Sequence, residues 1–474
     1  IRSAFLQAFE DALFRPREEQ RGLLHFVVVG GGPAGLSAAL NAALSGASVL
    51  LIDSSSRLGG QYWRHLPETW LEQSELHLDL DTGLLLISAV ANHPKIEIWS
   101  GAEIWSATHE DGATTLRLIT NGVEKIITTK ALVLATGAYD RTLPFPGWDI
   151  PGVMTPGGAQ SLIKGNGIAV GKRVVVAGSG PFLLPVAAGL AQVGCEVIEL
   201  LEANSPLRWL KSLPTLIQNL SKIGEAAHYI AIFNRFGVRP KFNRAVVAAH
   251  ANQDGELESV SIAKIDSNFK IKKIERVKCD VAAIGWGFTA DTSLAGALLL
   301  KQFVTKDEGV AVSVDENQES SIAGIFAAGE ITGIGGSELS IAEGVIAGLA
   351  AAKYIGCKAE ISNDHQKTRA KKHKFAEALI SSYPVKSGWQ SWLTDETIIC
   401  RCEEVKYSKL KFAVTELGAT DSRTAKLLSR CGMGMCQGRI CGRFVVDLVA
   451  NESGISPSDI SEKERISVGN RPII

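Results

Sequence analysis

No apolar run in this 474-residue chain approaches the roughly 18–20 residues that a membrane helix needs, so no membrane span is expected. Charge of one sign is missing too: 49 Lys and Arg face 50 Asp and Glu, for a net charge of −1. That balance argues against nucleic acid, which would want a basic field, and against an acidic solvating role. The opening residues, "IRSAFLQAFEDALF", alternate apolar with charged side chains, unlike the apolar core of an export signal, and the expected compartment is the cytoplasm. Cysteine is absent from the first 194 residues. No redox cysteine pair is therefore expected in that stretch. His25, His65, His109, His228 and His250 are scattered without partners, and no catalytic acid, base or nucleophile is assigned.

What is present is more specific. The length suggests two to four domains. Cys195, Cys279 and Cys357 stand alone in apolar or strand-like contexts and read as small buried hydrophobes. The other five cysteines crowd between positions 400 and 441. Without an export signal, such crowding favours a metal centre over disulfides.

The strongest N-terminal motif is "FVVVGGGPAGLSAALNAALSGASVLLID" (26–53). "FVVV" reads as a buried parallel strand, "SVLLI" as a second, and a helical pattern with Leu36, Leu40, Ala43 and Leu44 on one face lies between them. Gly30 allows a tight turn, Gly32 a close approach to a pyrophosphate, and Gly35 close packing of helix on strand. Pro33 and Ala34 begin the helix, whose free N–H groups attract phosphate. Asp53, followed by Ser54, can accept hydrogen bonds from a ribose diol. The Gly-Gly pair of "RLGGQYW" (57–63), ending at Gly60 beside Gln61, points to a second close approach of backbone to a bulky ligand.

Two later segments carry a resemblance. "GIFAAGE" (324–330) resembles the Gly-x-Phe-Ala-x-Gly-Asp motif of flavoproteins with two dinucleotide-binding domains, with Glu330 after Gly329 where Asp is usual. In those proteins the acid binds the ribityl chain of FAD. "ALVLATGAYDR" (131–141) resembles the segment that recrosses their FAD site, which brings in Ala135, Thr136 and Gly137.

"GKRVVVAGSGPFLLPVAAGLAQVGCEVIELLEA" (171–203) repeats the strand–glycine–helix–strand–acid design, with Gly178, Gly180 and Glu202 in place. Leu183 occupies the third glycine position, where a side chain crowds the phosphate turn. The resemblance would put NAD(P)H here; Leu183 argues against its productive binding, leaving a non-reacting adenine nucleotide or an empty, structural fold. Each nucleotide unit is followed by an alternating, strand-like meander with turns at "EDGA" or "NQDGE".

Residues 359–385 read as a charged helical connector. Beyond it, "CRCEEV" (400–405) and "CGMGMCQGRICG" (431–442) bring two thiol pairs to turns and helix starts. Helices are expected over about 406–417 and 422–430, the latter capped by Thr420 or Asp421, and Cys441 is expected on a third. Cys400, Cys402, Cys436 and Cys441 make a four-thiolate set, suited to a [2Fe–2S] cluster or a tetrahedral metal. The C-x-C and C-x₄-C spacings are atypical of zinc, and a thiol/disulfide function is a further alternative. Cys431 falls outside this set, a bystander or a substitute ligand. The segment resembles the bacterioferritin-associated-ferredoxin-like [2Fe–2S] domain attached to amine-oxidising flavoproteins.

The combination, "AGSGPFLLPVAAGL" and "GIFAAGEITGIGG" included, resembles the alpha subunits of opine oxidases, which cleave octopine or nopaline. It is similar too to subunits of hydrogen cyanide synthase and of heteromeric proline and hydroxyproline dehydrogenases. The resemblance implies FAD, a [2Fe–2S] cluster and FMN at a subunit interface. It implies a beta flavoprotein partner resembling amino-acid oxidases, which oxidises the secondary amine, with room for a further small subunit. This chain would then pass electrons to an acceptor. A stand-alone NAD(P)H-dependent flavin/iron–sulfur reductase is the alternative.

The expected fold is α/β: two dinucleotide-binding, Rossmann-like domains, one inserted in the other, plus a small C-terminal helical [2Fe–2S] domain. The expected divisions are an N-terminal arm (1–21), an FAD domain (22–141 and 280–357), a second nucleotide-binding-like domain (142–279), a connector (358–388) and the cysteine-bearing domain (389–474).

Overall fold

β-Branched runs bury both faces of a strand, and two such runs frame the first helix. In the computed structural model, which describes residues 19–20, 24–66, 79–208 and 220–456, β1 is Leu24–Val29, α1 Pro33–Leu44 and β2 Val49–Asp53. The helix follows at once because Pro33 fixes φ at its first turn and alanines continue it. It stops at a left-handed Gly46, where Gly46 N–H bonds Ala43 O and Ala47 N–H bonds Ala42 O. Leu36 and Ala43 are buried as expected, but Leu44 is exposed. Next come β3 (Ile96–Ser100) and the meander β4 (Ala102–Glu110), β5 (Ala113–Thr120) and β6 (Val123–Leu134). β6 serves several partners. Its first half pairs antiparallel with β5 and its second half parallel with β1.

The chain leaves this sheet along β7 (Ala138–Asp140) and builds a second one. Here β8 is Arg173–Gly178, α2 Leu183–Gln192, β9 Glu196–Glu202 and β10 Pro240–Phe242. An antiparallel meander follows: β11 (Arg244–Ala251), β12 (Leu257–Ile265) and β13 (Ile271–Lys278). β14 (Val281–Gly285) then pairs parallel with β8, Gly178 opposite Gly285. This is a correction: residues 281–285 were expected in the FAD domain, and their strand belongs to the second sheet. A fully apolar strand, "VAAIG", fits the interior of either sheet, so its sequence could not choose. β15 (Phe288–Ala290) pairs antiparallel with β7, and the two strands carry the chain out and back between the sheets.

β16 (Ile325–Ala327) returns to the first sheet beside β6, and α3 (Ser337–Tyr354) packs on α1. The two helices touch closely: a Cβ on Gly344 would lie 2.2 Å from Ala34 O, and one on Gly348 2.3 Å from Ala38 O. Phe26 and Val28 face these helices, while Val27, Val29, Leu50 and Ile52 face a core with Leu116 and Leu118.

The connector is a helix, α4 (Asn363–Ser382), opened by a reciprocal Ser362–His365 capping box. β17 (Ile398–Cys400), α5 (Tyr407–Thr415), α6 (Ser422–Ser429) and α7 (Gly442–Ser453) form the C-terminal unit. Of the two candidate caps, Asp421 is the one used: its side chain accepts from Thr424 N–H at 2.7 Å. The unit has no separate core. Phe444, Leu448, Trp389 and Trp392 share one apolar cluster with Trp148, Phe269, Val260 and Trp286 of the second domain. Trp148 meets Phe444 edge-on at 5.9 Å, and the Trp392 indole N–H bonds Phe269 O at 2.9 Å.

Among the described residues no helix is long and apolar enough to cross a membrane. The expected N-terminal arm, Glu19 and Gln20 apart, and residues 457–474 lie outside the described residues.

Candidate functional site

Three places bear the residues the sequence singled out. At the first, β1 ends in Gly30, held at φ +106 with its N–H on Ile52 O. A Cβ on Gly35 would lie 1.7 Å from Gly30 O, so the helix reaches this distance only with glycine there. Gly32 caps α1 with no side-chain hydrogen bond, and Pro33 follows. Gly60, at φ +61, is so close that a Cβ on it would lie 2.8 Å from Gly32 Cα. Ala34 meets the third segment: a Cβ on Gly329 would be 2.8 Å from Ala34 Cβ. Ala135 N–H bonds Val29 O, Gly137 is left-handed, and Thr136 Oγ1 donates to Asp291 O at 2.6 Å.

The first-site residues therefore surround the strand ends of β1 and β16, where α1 and α3 both begin. Ser54 and Gln61 are exposed at the rim; the Gln61 carbonyl accepts from Arg64, which also reaches Ser161 across the domains. Asp53 is buried and turned inward: it accepts from Gly31 N–H at 2.5 Å and Ser55 N–H at 2.6 Å. Glu330 is turned in as well, accepting from Gly336 N–H at 2.7 Å, and burial pushes its carboxyl up to about 7. Sequence reasoning missed Glu343. It lies buried on α3, accepts from Gly329 N–H and Thr332 Oγ1 at 2.9 Å, and faces Arg369 at 3.6 Å. Burial raises its carboxyl above the usual range. A helix glutamate carries no signal of such a role. The glycine cradle, with both helix starts uncapped by side chains, fits a dinucleotide phosphate.

The second loop differs. Gly178 sits under β14, where a Cβ would lie 1.7 Å from Gly285 O. Leu183 is buried in the domain core. α1 starts three residues after Gly30, but α2 starts five after Gly178. The gap is spanned by tighter bonds, Leu183 N–H to Gly180 O at 3.2 Å and Leu184 N–H to Pro181 O at 3.1 Å. Glu202 accepts from Gly180 N–H at 2.9 Å and Asn204 N–H at 2.8 Å, and burial pushes it up to about 7. The connector's end covers this loop: Ser179 Oγ donates to Tyr383 O at 3.4 Å and Asn204 Nδ2 to Pro384 O at 3.2 Å.

The third place is the cysteine cluster. Cys400 ends β17 and Cys402 lies in the turn after it. Cys431 follows a left-handed Arg430, and Cys441 caps α7 rather than lying on it, as had been expected. The Sγ atoms of Cys400, Cys431 and Cys441 all lie within 4.8 Å of one another. Cys402 and Cys436 form a hydrogen-bonded thiol pair beside them. A Cβ on Gly434 would lie 2.3 Å from Cys402 Cβ, so the turn closes only with glycine. Gly432 N–H points at Cys400 Sγ, 3.4 Å away. Hydrogen bonds from Cys431 and then Cys441 draw the Cys400 thiol down to about 2, and the same bonds push both donors up. Of the four expected ligands, Cys400 and Cys441 thus lie in one trio with Cys431, while Cys402 and Cys436 form a separate pair. Five sulfurs with a backbone N–H aimed at one of them fit a four-thiolate metal centre.

The first and third places are joined. Asp291, which accepts from Thr136, also accepts from Ser293 Oγ at 2.6 Å. Ser293 Oγ accepts from Arg439 at 3.2 Å, and Arg439 donates to Cys436 O at 3.4 Å. Arg443 fastens the cluster loop to the β7–β15 hinge through Phe288 O at 3.0 Å and to Asp307 at 2.8 Å, and Arg141 faces Asp447 at 3.6 Å. Arg443 holds the Asp307 carboxyl below its usual range, although burial acts to raise it. A cleft of about 160 Å³, lined by Tyr139, Ser293, Cys431, Arg439, Cys441 and Arg443, opens beside this contact. Arg439 and Arg443 were not among the candidates the sequence offered.

The profile of the pyridine nucleotide-disulphide oxidoreductase family matches residues 24–353. An opine oxidase subunit from Agrobacterium tumefaciens (strain Ach5) is 30% identical over 92% of this chain and 87% of the relative. Hydrogen cyanide synthase subunit HcnB of Pseudomonas protegens is 30% identical over 91% of this chain and 93% of the relative. Among solved structures, L-proline dehydrogenase from P. horikoshii superposes with a TM-score of 0.67 at 22% identity, covering 94% of this chain and 77% of that one.

Proposed function

The chain belongs to the pyridine nucleotide-disulphide oxidoreductase family, and from that premise we propose that it is the electron-transferring flavoprotein and iron–sulfur subunit of a heteromeric opine oxidase. The coarser statement, a flavin-dependent oxidoreductase, rests on the family itself. The finer one's opine part rests on the opine oxidase relative, and its electron-transfer part on a single observation: the five-cysteine cluster is linked through Arg439, Ser293 and Asp291 to Thr136 of the flavin loop. The family's name refers to disulfides, yet no cysteine precedes Cys195, so this chain has no thiol pair for that chemistry in its first 194 residues.

In this proposal Gly30, Gly32, Pro33, Ala34 and Gly35 receive the FAD pyrophosphate, with Gly60, Gly137 and Gly329 lining the approach. When bound, FAD accepts a hydride's two electrons while an iron–sulfur pair moves electrons singly. The chain's own work is to space the two sites, exclude solvent between them and hold the cluster loop through Arg439 and Arg443. The amine substrate, of the octopine or nopaline class, is oxidised mainly in a partner beta flavoprotein subunit. FMN at the subunit interface and a cytoplasmic location belong to the same proposal.

The second nucleotide fold does not present an NAD(P)H site in this reading. Leu183 fills the helix approach, Glu202 is committed to Gly180 N–H, and the Tyr383–Pro384 backbone covers the loop. A second reading, in which the chain serves a hydrogen cyanide synthase, is favoured by the equal identity to HcnB, with a proline or hydroxyproline dehydrogenase as a further alternative.

Co-purification from the native source tests both. A partner resembling amino-acid oxidases, with dye reduction by octopine or nopaline, is expected. Turnover of proline, hydroxyproline or glycine instead would select the second reading. Flavin bleaching by NAD(P)H, added anaerobically to the lone chain, would overturn both in favour of a stand-alone reductase. FMN is read by acid release and chromatography of the complex.

A further inference from the structure

A [2Fe–2S] centre takes four terminal ligands, two on each iron, and this chain gathers five thiols. They are not equivalent. Cys400, Cys431 and Cys441 form a trio with every Sγ within 4.8 Å of the others, and all three are buried. Cys402, exposed, and Cys436, half-buried, form a separate pair. Cys431 is fixed in place: its N–H donates to Ser429 Oγ at 3.1 Å, and its thiol bonds to Cys400 and Cys441. The cleft beside the hinge is lined by Cys431 and Cys441 but not by Cys402 or Cys436.

Resting on the iron–sulfur reading above, we propose that Cys431 is a reserve ligand, able to replace Cys400 or Cys441 but neither Cys402 nor Cys436. The pair serves one iron and the trio supplies two of its three sulfurs to the other. When Cys431 is recruited, its Sγ–H proton leaves to solvent as the iron–sulfur bond forms, and no electron is transferred. Loss of a sulfur from the trio is thus made good locally. Loss from the pair is not, because among the described residues no third thiol stands with Cys402 and Cys436 on that side.

The test is a set of alanine variants of the full chain, purified anaerobically. Alanine is used because it cannot ligate iron. Iron and acid-labile sulfide per chain are counted, the paramagnetic resonance of the reduced centre is recorded, and bound flavin reports the fold. C431A, C400A and C441A are expected to keep two irons and two sulfides, the last two with shifted resonance. C402A, C436A and the double variant C400A/C431A are expected to lose them with flavin retained.

Loss of iron from flavin-loaded C400A and C441A, or from C431A, overturns the reserve role. If one alanine variant loses its flavin the other decides. If both do, C400S is compared with C400S/C431S: a fall in iron supports the proposal and no change overturns it. A wild-type chain with neither iron nor sulfide overturns the underlying reading instead.

Discussion

At Gly35 the α1 backbone lies against the Gly30 carbonyl, 1.7 Å from where a Cβ would sit. At Leu183, the matching position of the second loop, a buried side chain fills that space and the helix starts two residues later. The two loops share a plan in other respects. Each has a glycine wedged under a neighbouring strand, and each has a carboxylate at the end of the next strand that accepts from a loop N–H. The difference lies in what the helix start offers. α1 brings its N–H groups to the loop, where an anion can meet them. In the second loop a tight turn intervenes, and the connector's carbonyls occupy the neighbourhood of Ser179 and Asn204. In the proposed reading the first loop binds, while the second is built into the packing against the connector.

The comparison can be broken most sharply at Gly35. Gly35→Leu gives the first loop the residue of the second, and no side chain fits 1.7 Å from Gly30 O. Complete loss of bound flavin is expected, read as the flavin-to-protein absorbance ratio. The converse change, Leu183→Gly, leaves a cavity in a core and a glycine at a helix start. A loss of about 3–5 kcal/mol is expected in denaturant unfolding. It should not confer reduction by NAD(P)H, because Glu202 and the Tyr383–Pro384 backbone remain.

Glu202→Gln sharpens the electrostatic side. Burial raises the Glu202 carboxyl from its ordinary 4.5 to about 7, so between those pH values the folded chain holds a proton that the unfolded chain has lost. This carboxyl's contribution to stability is therefore full below about pH 4.5 and falls as pH rises through 7. The wild type's advantage over the Gln variant should shrink across that window by about 3 kcal/mol, followed as the pH dependence of the two unfolding midpoints. The smallest effect is expected of Ser179→Ala, which removes the hydroxyl that joins Asn204 to the Tyr383 carbonyl. About 1 kcal/mol of stability should go, with flavin content unchanged.

Much of this was legible in the sequence. Gly30 and Gly35 announced the first loop because each of these glycines answers a local steric demand. Leu183 announced the second loop's departure for the same reason. Cys400, Cys402, Cys436 and Cys441 stood out by their short C-x-C and C-x₄-C spacings, but the place of Cys431 beside Cys400 and Cys441 did not. The fate of the acids was not: Asp53, Glu202 and Glu330 were placed correctly along the chain, but their inward hydrogen bonds depend on loops folding over them. "VAAIG" fell inside the bounds expected for the FAD domain but its strand joins the second sheet, since burial on both faces leaves no polar face to mark a neighbour. Glu343, Arg439 and Arg443 lacked any local signature, because their partners lie far away in the chain or across a domain contact.

By itself, then, the sequence determined what short-range sterics and periodicity control: which turns admit positive φ, which strands are buried, and where helices start and stop. Tertiary structure alone decided that Cys431 joins Cys400 and Cys441, that the connector's end covers the second loop, and that the cysteine unit shares the second domain's core. The physical reason is range. A backbone angle answers to its nearest neighbours, whereas a thiol cluster or a shared core exists only once segments far apart in the chain have packed against each other.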